Sequence, residues 1–256
     1  MVLRILTSIT LILALGAVVG FASKEASDLR VRDVKVDVRD ADLAHFLHPE
    51  RIKDNLGVEN IEGEFIRDVD LQLVANHLLA IGSCAKAEVY PSMDGTLHID
   101  VWQRRPVLRV HITPSKTDSE DSSTGRELST KDPSDFYLDE EGHRMELDPH
   151  FTPRVPIMHV KHEGQADMGL RLMQAVGKDP FWTSLVDQLA LNEHGELVVI
   201  PRLAGHEIIL GDHQDPEHKK RNLLAFYRAH IERGNLRNYQ RIDLTYRDQV
   251  IAQRYP

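Results

Sequence analysis

The chain has 256 residues, of which 41% are hydrophobic and 28% are charged, a balance typical of a globular protein with a sizeable core. This composition excludes a polytopic membrane protein and a chain that is disordered throughout. With 31 Lys and Arg against 40 Asp and Glu, the net charge is −9, so most of the surface repels phosphate backbones and we expect no nucleic-acid partner. Cys84 is the single cysteine, which excludes an internal disulfide.

An uncharged apolar run over residues 5–22 follows a short tail, residues 1–4. As a helix this run is about 27 Å long at about 1.5 Å per residue, enough to cross the hydrocarbon layer of a membrane. We therefore predict a transmembrane helix over residues 5–22 and a polar stalk over residues 23–33. The alternative is a signal peptide that is cleaved after the small residues Gly20 and Ala22. Positive charges flank the run on both sides, so they leave its orientation open.

The next region, residues 34–110, is predicted to be a β-α-α-β-β domain. Valines alternate with charged residues over 34–38, which is typical of a strand with one buried face. Two helices follow, one opened by Pro49 and one that starts after Asp70 and ends at Gly82. The apolar face of the second helix consists of Leu71, Val74, Ala75, Leu78 and Leu79. A turn of the Asp-Gly kind then joins the two strands of a hairpin.

Residues 113–134 differ in composition from the rest of the chain. Ten of them are Ser or Thr and five are acidic, so they contain too little apolar surface to offset the entropy of ordering. We predict a disordered insertion. Two interpretations stay open: a boundary between domains, or the interruption of a hairpin whose strands are residues 107–112 and 136–138.

The remaining residues, 135–256, are predicted to form a mixed β-sheet domain with flanking helices, so that the fold class is α+β. The predicted elements in chain order are a hairpin turning at Gly142, a helix capped by Asp167, a helix from Pro180 that carries Val186 and Leu189, strands over 197–201 and 207–210, a helix over 219–233, and a final strand. In the final strand Ile242, Leu244 and Tyr246 alternate with polar residues, and residues 250–254 continue it.

Fourteen histidines raise the question of a metal site, but none of them has the spacing that such a site needs. His206 and Glu207 are not followed by a second histidine one helical turn later. Asp139, Glu140 and Glu141 occupy a hairpin turn and lack the alternating oxygen ligands of a calcium loop. Because the sequence also has no nucleophile elbow and no glycine-rich phosphate loop, we predict no catalytic, cofactor or metal site.

Three segments carry a recognisable pattern. Residues 87–110 form a strand, a turn and a second strand that lead into an Arg-Pro step, residues 136–147 contain Tyr-x-Asp-x-x-Gly, and residues 241–254 contain Ile-Asp-Leu-Thr-Tyr. These segments resemble the end of the POTRA domain, the first hairpin of the β domain and the closing Ile-Asp-Leu-Arg-Tyr strand of the bacterial FtsQ/DivIB family. They look most like the versions from Bacteroidetes. Thr245 stands where the family commonly has arginine.

The resemblance implies a non-enzymatic scaffold of the divisome that has no cofactor. It implies a single-pass protein of the cytoplasmic membrane, with its N-terminus in the cytoplasm and its folded domains in the periplasm at the division septum. It also implies partners, namely small coiled-coil division proteins of the FtsB and FtsL type and other divisome components.

A chain that ends in a strand tends to leave an open sheet edge, and such an edge accepts a strand from a partner. We hypothesise that Tyr246, Asp248, Gln249, Val250 and Ile251 present this edge, with Tyr246 as an aromatic anchor. The alternative for Tyr246 is that it packs inward beside the other apolar residues of its strand.

Two other functions compete with the scaffold. The first is an accessory of polypeptide transport or assembly that receives a substrate strand on the edge of the POTRA domain. The second is a periplasmic metal-dependent hydrolase that uses histidines from both halves of the chain. Stoichiometric zinc in protein purified without added metal would favour the hydrolase.

Overall fold

A computed structural model describes residues 29–40, 45–113, 135–202 and 205–256. The fold is α+β, and the chain divides into two compact units, residues 1–104 and 105–256. The predicted tail, the membrane helix over 5–22, most of the stalk and nearly all of the Ser/Thr-rich insertion lie outside the described residues. Within the described ranges, no helix combines the length and the apolar composition needed to cross a membrane.

The described part of the first unit contains a three-stranded sheet and two α-helices. Its elements are β1 (Asp33–Arg39), α1 (Pro49–Leu56), α2 (Leu71–Leu79), β2 (Cys84–Pro91) and β3 (Thr96–Gln103). The strand order is β1-β3-β2, with β1 parallel and β2 antiparallel to β3. The order of the elements along the chain confirms the predicted β-α-α-β-β sequence.

Local sequence signals explain the helices of this unit. Pro49 occupies the first turn of α1, and Gly57 ends the helix at φ 60°, in the left-handed region that glycine tolerates. α2 starts after Asp70 as predicted, and the Asp70 side chain caps it by accepting a hydrogen bond from the Leu73 N–H at 3.0 Å. However, α2 ends at Leu79, before the predicted stop at Gly82, and Leu79 is 44% exposed. Its assignment to the buried face was therefore wrong.

The second unit contains a nine-stranded sheet of order β12-β11-β10-β9-β8-β7-β4-β5-β6. Its strands are β4 (Pro106–Ile112), β5 (Asp135–Asp139), β6 (Arg144–Met145), β7 (Ile157–Val160), β8 (Val186–Leu191), β9 (Leu197–Pro201), β10 (Glu207–Gly211), β11 (Tyr239–Asp243) and β12 (Ile251–Arg254). Its helices are α3 (Ala166–Val176), α4 (Pro180–Leu185) and α5 (Pro216–Ile231). The predicted hairpin around Gly142 and the predicted pairing of β9 with β10 are confirmed.

The predicted boundary of the first domain, at residue 110, was wrong, because β4 belongs to the second unit. β4 pairs antiparallel with β5 on one side and parallel with β7 on the other. The Ser/Thr-rich segment therefore interrupts a hairpin within the second unit, which was one of the two interpretations left open. Leu108 and Val110 are fully buried in the core of this unit, and their burial explains why β4 belongs to it.

Two helices predicted in this unit are present, α3 and α4, but one predicted feature of each was wrong. The helix from Pro180 ends at Leu185, and Val186 begins β8, which lies between β7 and β9. Val186 and Leu189 are both completely buried in β8, so pairing in the sheet overrides the helical spacing of these residues. Asp167 lies inside the first turn of α3 and pairs with Arg171 at 2.7 Å instead of capping the helix.

The predicted final strand is two strands. β11 and β12 are antiparallel, and residues 244–250 connect them. The alternation of Ile242 and Leu244 does reflect burial, since both are at most 2% exposed. Tyr246 lies beyond the end of β11, in the connection.

One core forms between the nine-stranded sheet and its helices. Among the described residues, the largest completely buried side chain is Trp182 of α4. It belongs to a cluster that also contains the helix residues Leu170, Leu172, Met173 and Leu223 and the strand residues Met158, Leu189, Val199, Ile208 and Ile242. Burial of this apolar area holds α5 against the sheet and so places the segment that follows α5, which includes β11 and β12.

Candidate functional site

The strongest candidate for a binding site is the outer edge of β12, which is the last strand along the chain and lies at one end of the nine-stranded sheet. The Tyr255 N–H donates to the Asn238 carbonyl at 3.0 Å, so Tyr255 points its backbone groups toward β11. Because backbone groups of an antiparallel strand alternate in direction, those of Ala252 and Arg254 point toward the outer edge. Among the described residues, no strand pairs with this edge.

The connection over residues 244–250 is fixed at its start. The Leu244 N–H donates to the Ile209 carbonyl at 2.9 Å, and the Asp243 carboxylate accepts hydrogen bonds from the Thr245 N–H at 2.8 Å and the Thr245 hydroxyl at 2.6 Å. A Cβ at Gly211, where φ is 78°, would come within 2.9 Å of Thr245 Cγ2. Glycine at this position therefore allows the connection to pass close to the end of β10.

Two side chains of α5 hold the middle of the connection. His218 Nε2 and Asn222 Nδ2 both contact the Arg247 carbonyl, the latter at 2.9 Å. The guanidinium of Arg221 lies 3.1 Å from His218 Nδ1. Because a guanidinium can only donate and a carbonyl can only accept, His218 accepts from Arg221 at Nδ1 and donates to the carbonyl at Nε2. We call the pair His218 and Asn222 the loop clamp.

α5 is itself fixed at its N-terminal end. The Asp215 side chain caps the helix by accepting from the His218 N–H, and Lys219 pairs with Asp212 at 2.5 Å. Burial acts to raise the pKa of Asp212, but the hydrogen bonds from Lys219 and from the Gln214 N–H outweigh it and hold the pKa below its usual range. The loop clamp is therefore presented from a helix whose first turn has defined partners.

The five residues predicted to form the partner site have different environments. Tyr246, Asp248 and Gln249 are exposed in the connection, with Tyr246 48% exposed, which differs from the inward-packing alternative. Val250 is half-buried and packs against the core. Ile251 is the first residue of β12 and is 47% exposed. Only Ile251 is thus part of the edge strand, while the other four lead into it.

Sequence reasoning missed the C-terminal part of the edge. Tyr255 is 50% exposed, and its hydroxyl donates to the Gly205 carbonyl at 3.1 Å. The Arg254 guanidinium lies 5.4 Å from the centre of the Tyr239 ring, which in turn packs edge-on against Phe226 of α5. The predicted continuation of the strand to residue 254 was a signal that would have extended the site to these residues.

The side chains that the sequence offered as possible metal ligands form hydrogen bonds within the fold. His206 is buried and its Nε2 lies 2.8 Å from the Tyr227 hydroxyl. In the part of the chain that the structure describes, the one group of potential metal ligands is Asp139, Glu141 and His143, whose ligand atoms lie within 4.8 Å of one another. The Asp139 carboxylate accepts from the His143 N–H at 2.7 Å, so it stabilises the hairpin turn.

The fold and the edge together define an α+β protein whose larger unit ends in β12, a strand that pairs on one side only within the described residues. A family model described as "FtsQ/DivIB, C-terminal related" matches residues 128–253, a range that includes β5 and extends into β12. This match supports an FtsQ/DivIB-like protein, and that relationship suggests a scaffold role in cell division. The first unit lies outside the matched residues, so its POTRA assignment stays a prediction. No curated protein matches the chain.

Proposed function

We propose that the chain is a non-enzymatic scaffold of the bacterial division machinery. In this proposal residues 5–22 anchor it in the cytoplasmic membrane, with the N-terminus in the cytoplasm and both units in the periplasm at the septum. Its partners are small coiled-coil division proteins of the FtsB and FtsL type, together with other divisome components. The FtsQ/DivIB-like match over residues 128–253 supports this function.

The observation that carries the proposal is the outer edge of β12, at one end of the nine-stranded sheet, with which no strand of the described residues pairs. An extended segment of a partner adds to this edge as a tenth strand and pairs with the backbone groups of Ala252 and Arg254. The opposite edge strand, β6, has only two residues and offers a much shorter template.

Main-chain pairing alone does not account for a stable complex. Each hydrogen bond contributes about 0.5 to 1.5 kcal/mol, and the edge strand has only four residues. Exposed side chains beside the edge supply the remaining contacts. Tyr246, Ile251 and Tyr255 are each about half exposed, and buried aromatic anchors contribute a large share of the energy at protein interfaces.

The test replaces Ala252 by proline in the full-length protein. Proline removes the outward N–H and places its ring on the outer edge, while the hydrogen bonds toward β11 are retained. The matched control is Ala252→Ser, which keeps the N–H. Each protein is captured from gently solubilised membranes, and its companions are identified by mass spectrometry after both variants are shown to have the wild-type circular dichroism spectrum.

We expect small single-pass coiled-coil proteins with the wild type and with Ala252→Ser, and their loss with Ala252→Pro. Equal capture by all three proteins would refute strand addition at β12. Capture of outer-membrane or transport components instead would refute the division role and favour the transport accessory.

A further inference from the structure

Two histidines lie side by side on the face of the nine-stranded sheet that points away from its core. His111 is in β4 and His159 is in β7, and the two residues are directly opposite each other in this parallel pair of strands. Their neighbours Val110 and Val160 are buried in the core, so the histidines, one position further along the alternation, point to the other face. The two rings contact each other edge to face, with their centres 5.5 Å apart.

Each ring is held through one of its two nitrogens. His111 Nδ1 lies 2.5 Å from Asp135 Oδ1, and His159 Nε2 lies 2.9 Å from Gln188 Oε1. Because a carboxylate and an amide oxygen can only accept, both contacted nitrogens donate their proton. The second nitrogen of each neutral ring, Nε2 of His111 and Nδ1 of His159, therefore keeps a lone pair. Among the described residues, neither of these two nitrogens has a hydrogen-bond partner.

This arrangement is typical of histidines that bind a metal ion. A ligating imidazole generally donates its other N–H to a carboxylate or carbonyl oxygen, which fixes the orientation and the tautomer of the ring. Imidazole nitrogens bind Zn²⁺ at about 2.0 to 2.1 Å, so two rings that share one tetrahedral ion have their centres roughly 5 Å apart. The observed separation of 5.5 Å between His111 and His159 therefore needs only a small movement of the side chains.

The surroundings of the pair allow a cation to bind. Arg109 is the nearest cation on the same face of β4, and its guanidinium donates to the Asp135 carboxylate at 3.0 Å, so that carboxylate offsets its charge. The side chain of His111 is 40% exposed, and His159 lines an open cleft together with Gln165. Water can therefore reach the pair and complete the coordination of an ion that has two protein ligands.

We propose that His111 and His159 bind one divalent transition-metal ion between β4 and β7, with Asp135 and Gln188 as positioning residues. Imidazole suits Cu²⁺, Ni²⁺ and Zn²⁺, and the general order of affinities makes Cu²⁺ the tightest of them. The ion ties two neighbouring strands of the sheet together. This inference goes beyond the proposed function and does not depend on it. No local spacing predicts the pair, because the two histidines meet only through the pairing of β4 with β7.

The test uses the full-length protein without a histidine tag in neutral detergent. Calorimetry measures the affinity for Zn²⁺, and electron paramagnetic resonance of bound Cu²⁺ counts the nitrogen ligands. His111→Gln and His159→Gln each remove one ligand, and Gln188→Leu keeps both ligands but releases one ring. The matched control is His143→Gln, which removes the histidine of the three-residue group in the hairpin turn. Each variant is first shown to have the wild-type circular dichroism spectrum.

We expect one strongly bound ion per chain, with two nitrogen ligands, in the wild type and in His143→Gln. Each ligand variant should bind Zn²⁺ roughly tenfold more weakly or worse and lose one nitrogen, while Gln188→Leu should lose roughly tenfold in affinity and keep both nitrogens. Equal affinities in all of the proteins, or binding of neither ion, would overturn the proposal. A loss confined to His143→Gln would also overturn it, because the ion would then occupy the hairpin turn.

A second measurement uses only the wild type, so it holds even if a substitution prevents folding. Diethylpyrocarbonate modifies the free nitrogens of neutral histidines, and mass spectrometry of peptides gives the rate at each residue. With free Zn²⁺ at about ten times its dissociation constant, we expect modification of His111 and His159 to slow by roughly tenfold. The exposed His150 should react at an unchanged rate. Rates at His111 and His159 that do not respond to Zn²⁺ would refute the site.

Discussion

His206 shows how a single buried side chain couples stability to pH. It is 1% exposed, its Nε2 lies 2.8 Å from the Tyr227 hydroxyl, and its Nδ1 is buried without a hydrogen-bond partner in the described structure. Burial lowers the pKa of His206, because the charged ring would lose its hydration. Burial likewise raises the pKa of Tyr227. Both shifts favour the neutral forms of the two side chains in the folded protein.

This environment predicts that the protein loses stability as the pH falls below about 6.5, the ordinary histidine pKa. In that range the unfolded chain binds a proton at His206 that the folded chain does not, so the free energy of unfolding decreases with decreasing pH. We expect the loss between about pH 7.5 and about pH 5 in urea unfolding to be larger for the wild type than for His206→Gln, which cannot titrate.

The control for this prediction is His150→Gln, since His150 is exposed. Its loss of stability on acidification should match that of the wild type. If His206→Gln and the wild type respond equally to pH, another group is responsible and the assignment to His206 is wrong.

At the same scale, the candidate site shows what sequence reasoning reaches and what it does not. Alternation predicted the burial of Ile242 and Leu244 correctly. It failed for Tyr246, because the Asp243 carboxylate accepts from Thr245 just after β11, as in an Asx turn, and the chain turns there. The turn depends on the side chain of one aspartate, which the apolar pattern does not record.

The loop clamp acts at the scale of elements, because it ties the connection between β11 and β12 to α5. His218 and Asn222 are one helical turn apart and so lie on the same face of the helix. Both contact a single carbonyl, that of Arg247, and thereby use both of its acceptor sites. The exposed Tyr246 next to this carbonyl is held without being packed in the core.

Removal of one donor should loosen the connection and leave the fold intact. We expect Asn222→Leu to raise hydrogen–deuterium exchange over residues 244–250 by roughly fivefold, the equivalent of about 1 kcal/mol for one hydrogen bond. Exchange in the strands β7 to β9 should not change. Mass spectrometry of peptic fragments measures both regions in one experiment.

Asn55→Leu provides the comparison, since Asn55 is exposed on α1 and the substitution is the same. It should leave exchange over residues 244–250 at the wild-type level. Unchanged exchange in Asn222→Leu would show that His218 alone, or the turn at Asp243, determines the order of the connection.

Prediction of elements succeeded where a local signal decides the structure. Pro49 and Asp70 each mark the start of a helix, and the Asp-Gly turn at Gly95 joins β2 to β3. It failed at α4 and β8, because the spacing of apolar residues from Phe181 to Leu189 fits a helix while the sheet requires a strand between β7 and β9. That requirement is non-local and no short window of sequence contains it.

The sequence alone also does not show which elements pack closely against each other. A Cβ on Gly169 of α3 would lie 2.1 Å from the sulfur of Met158 and 3.3 Å from Leu108 Cδ2. Glycine in a helix is unfavourable by about 1 kcal/mol relative to alanine, so its presence marks a place where helix and sheet approach closely. The sequence indicates that Gly169 is unusual, but only the structure identifies the strands it faces.

At the scale of the whole molecule, each unit has a separate hydrophobic core. The core of the first unit contains Ile52, Leu78 and Ile99, and all members of this cluster precede residue 105. The core of the second unit contains Trp182 and Leu189, and all of its members follow residue 105. Because the apolar cores are divided between residues 104 and 105, we predict that the two units unfold in separate cooperative transitions.

Reciprocal core substitutions test this prediction in the full-length protein. Leu78 and Leu189 are each at most 1% exposed, so Leu78→Ala and Leu189→Ala should each cost about 2 to 5 kcal/mol in the unit that contains them. Hydrogen exchange at increasing urea should then show that Leu78→Ala lowers the protection of β1 to β3 only, and that Leu189→Ala lowers the protection of β7 to β10 only. Each variant is the control for the other. Loss of protection in both units from one substitution would show that the two cores are energetically coupled, in which case residues 104 and 105 do not divide the molecule thermodynamically.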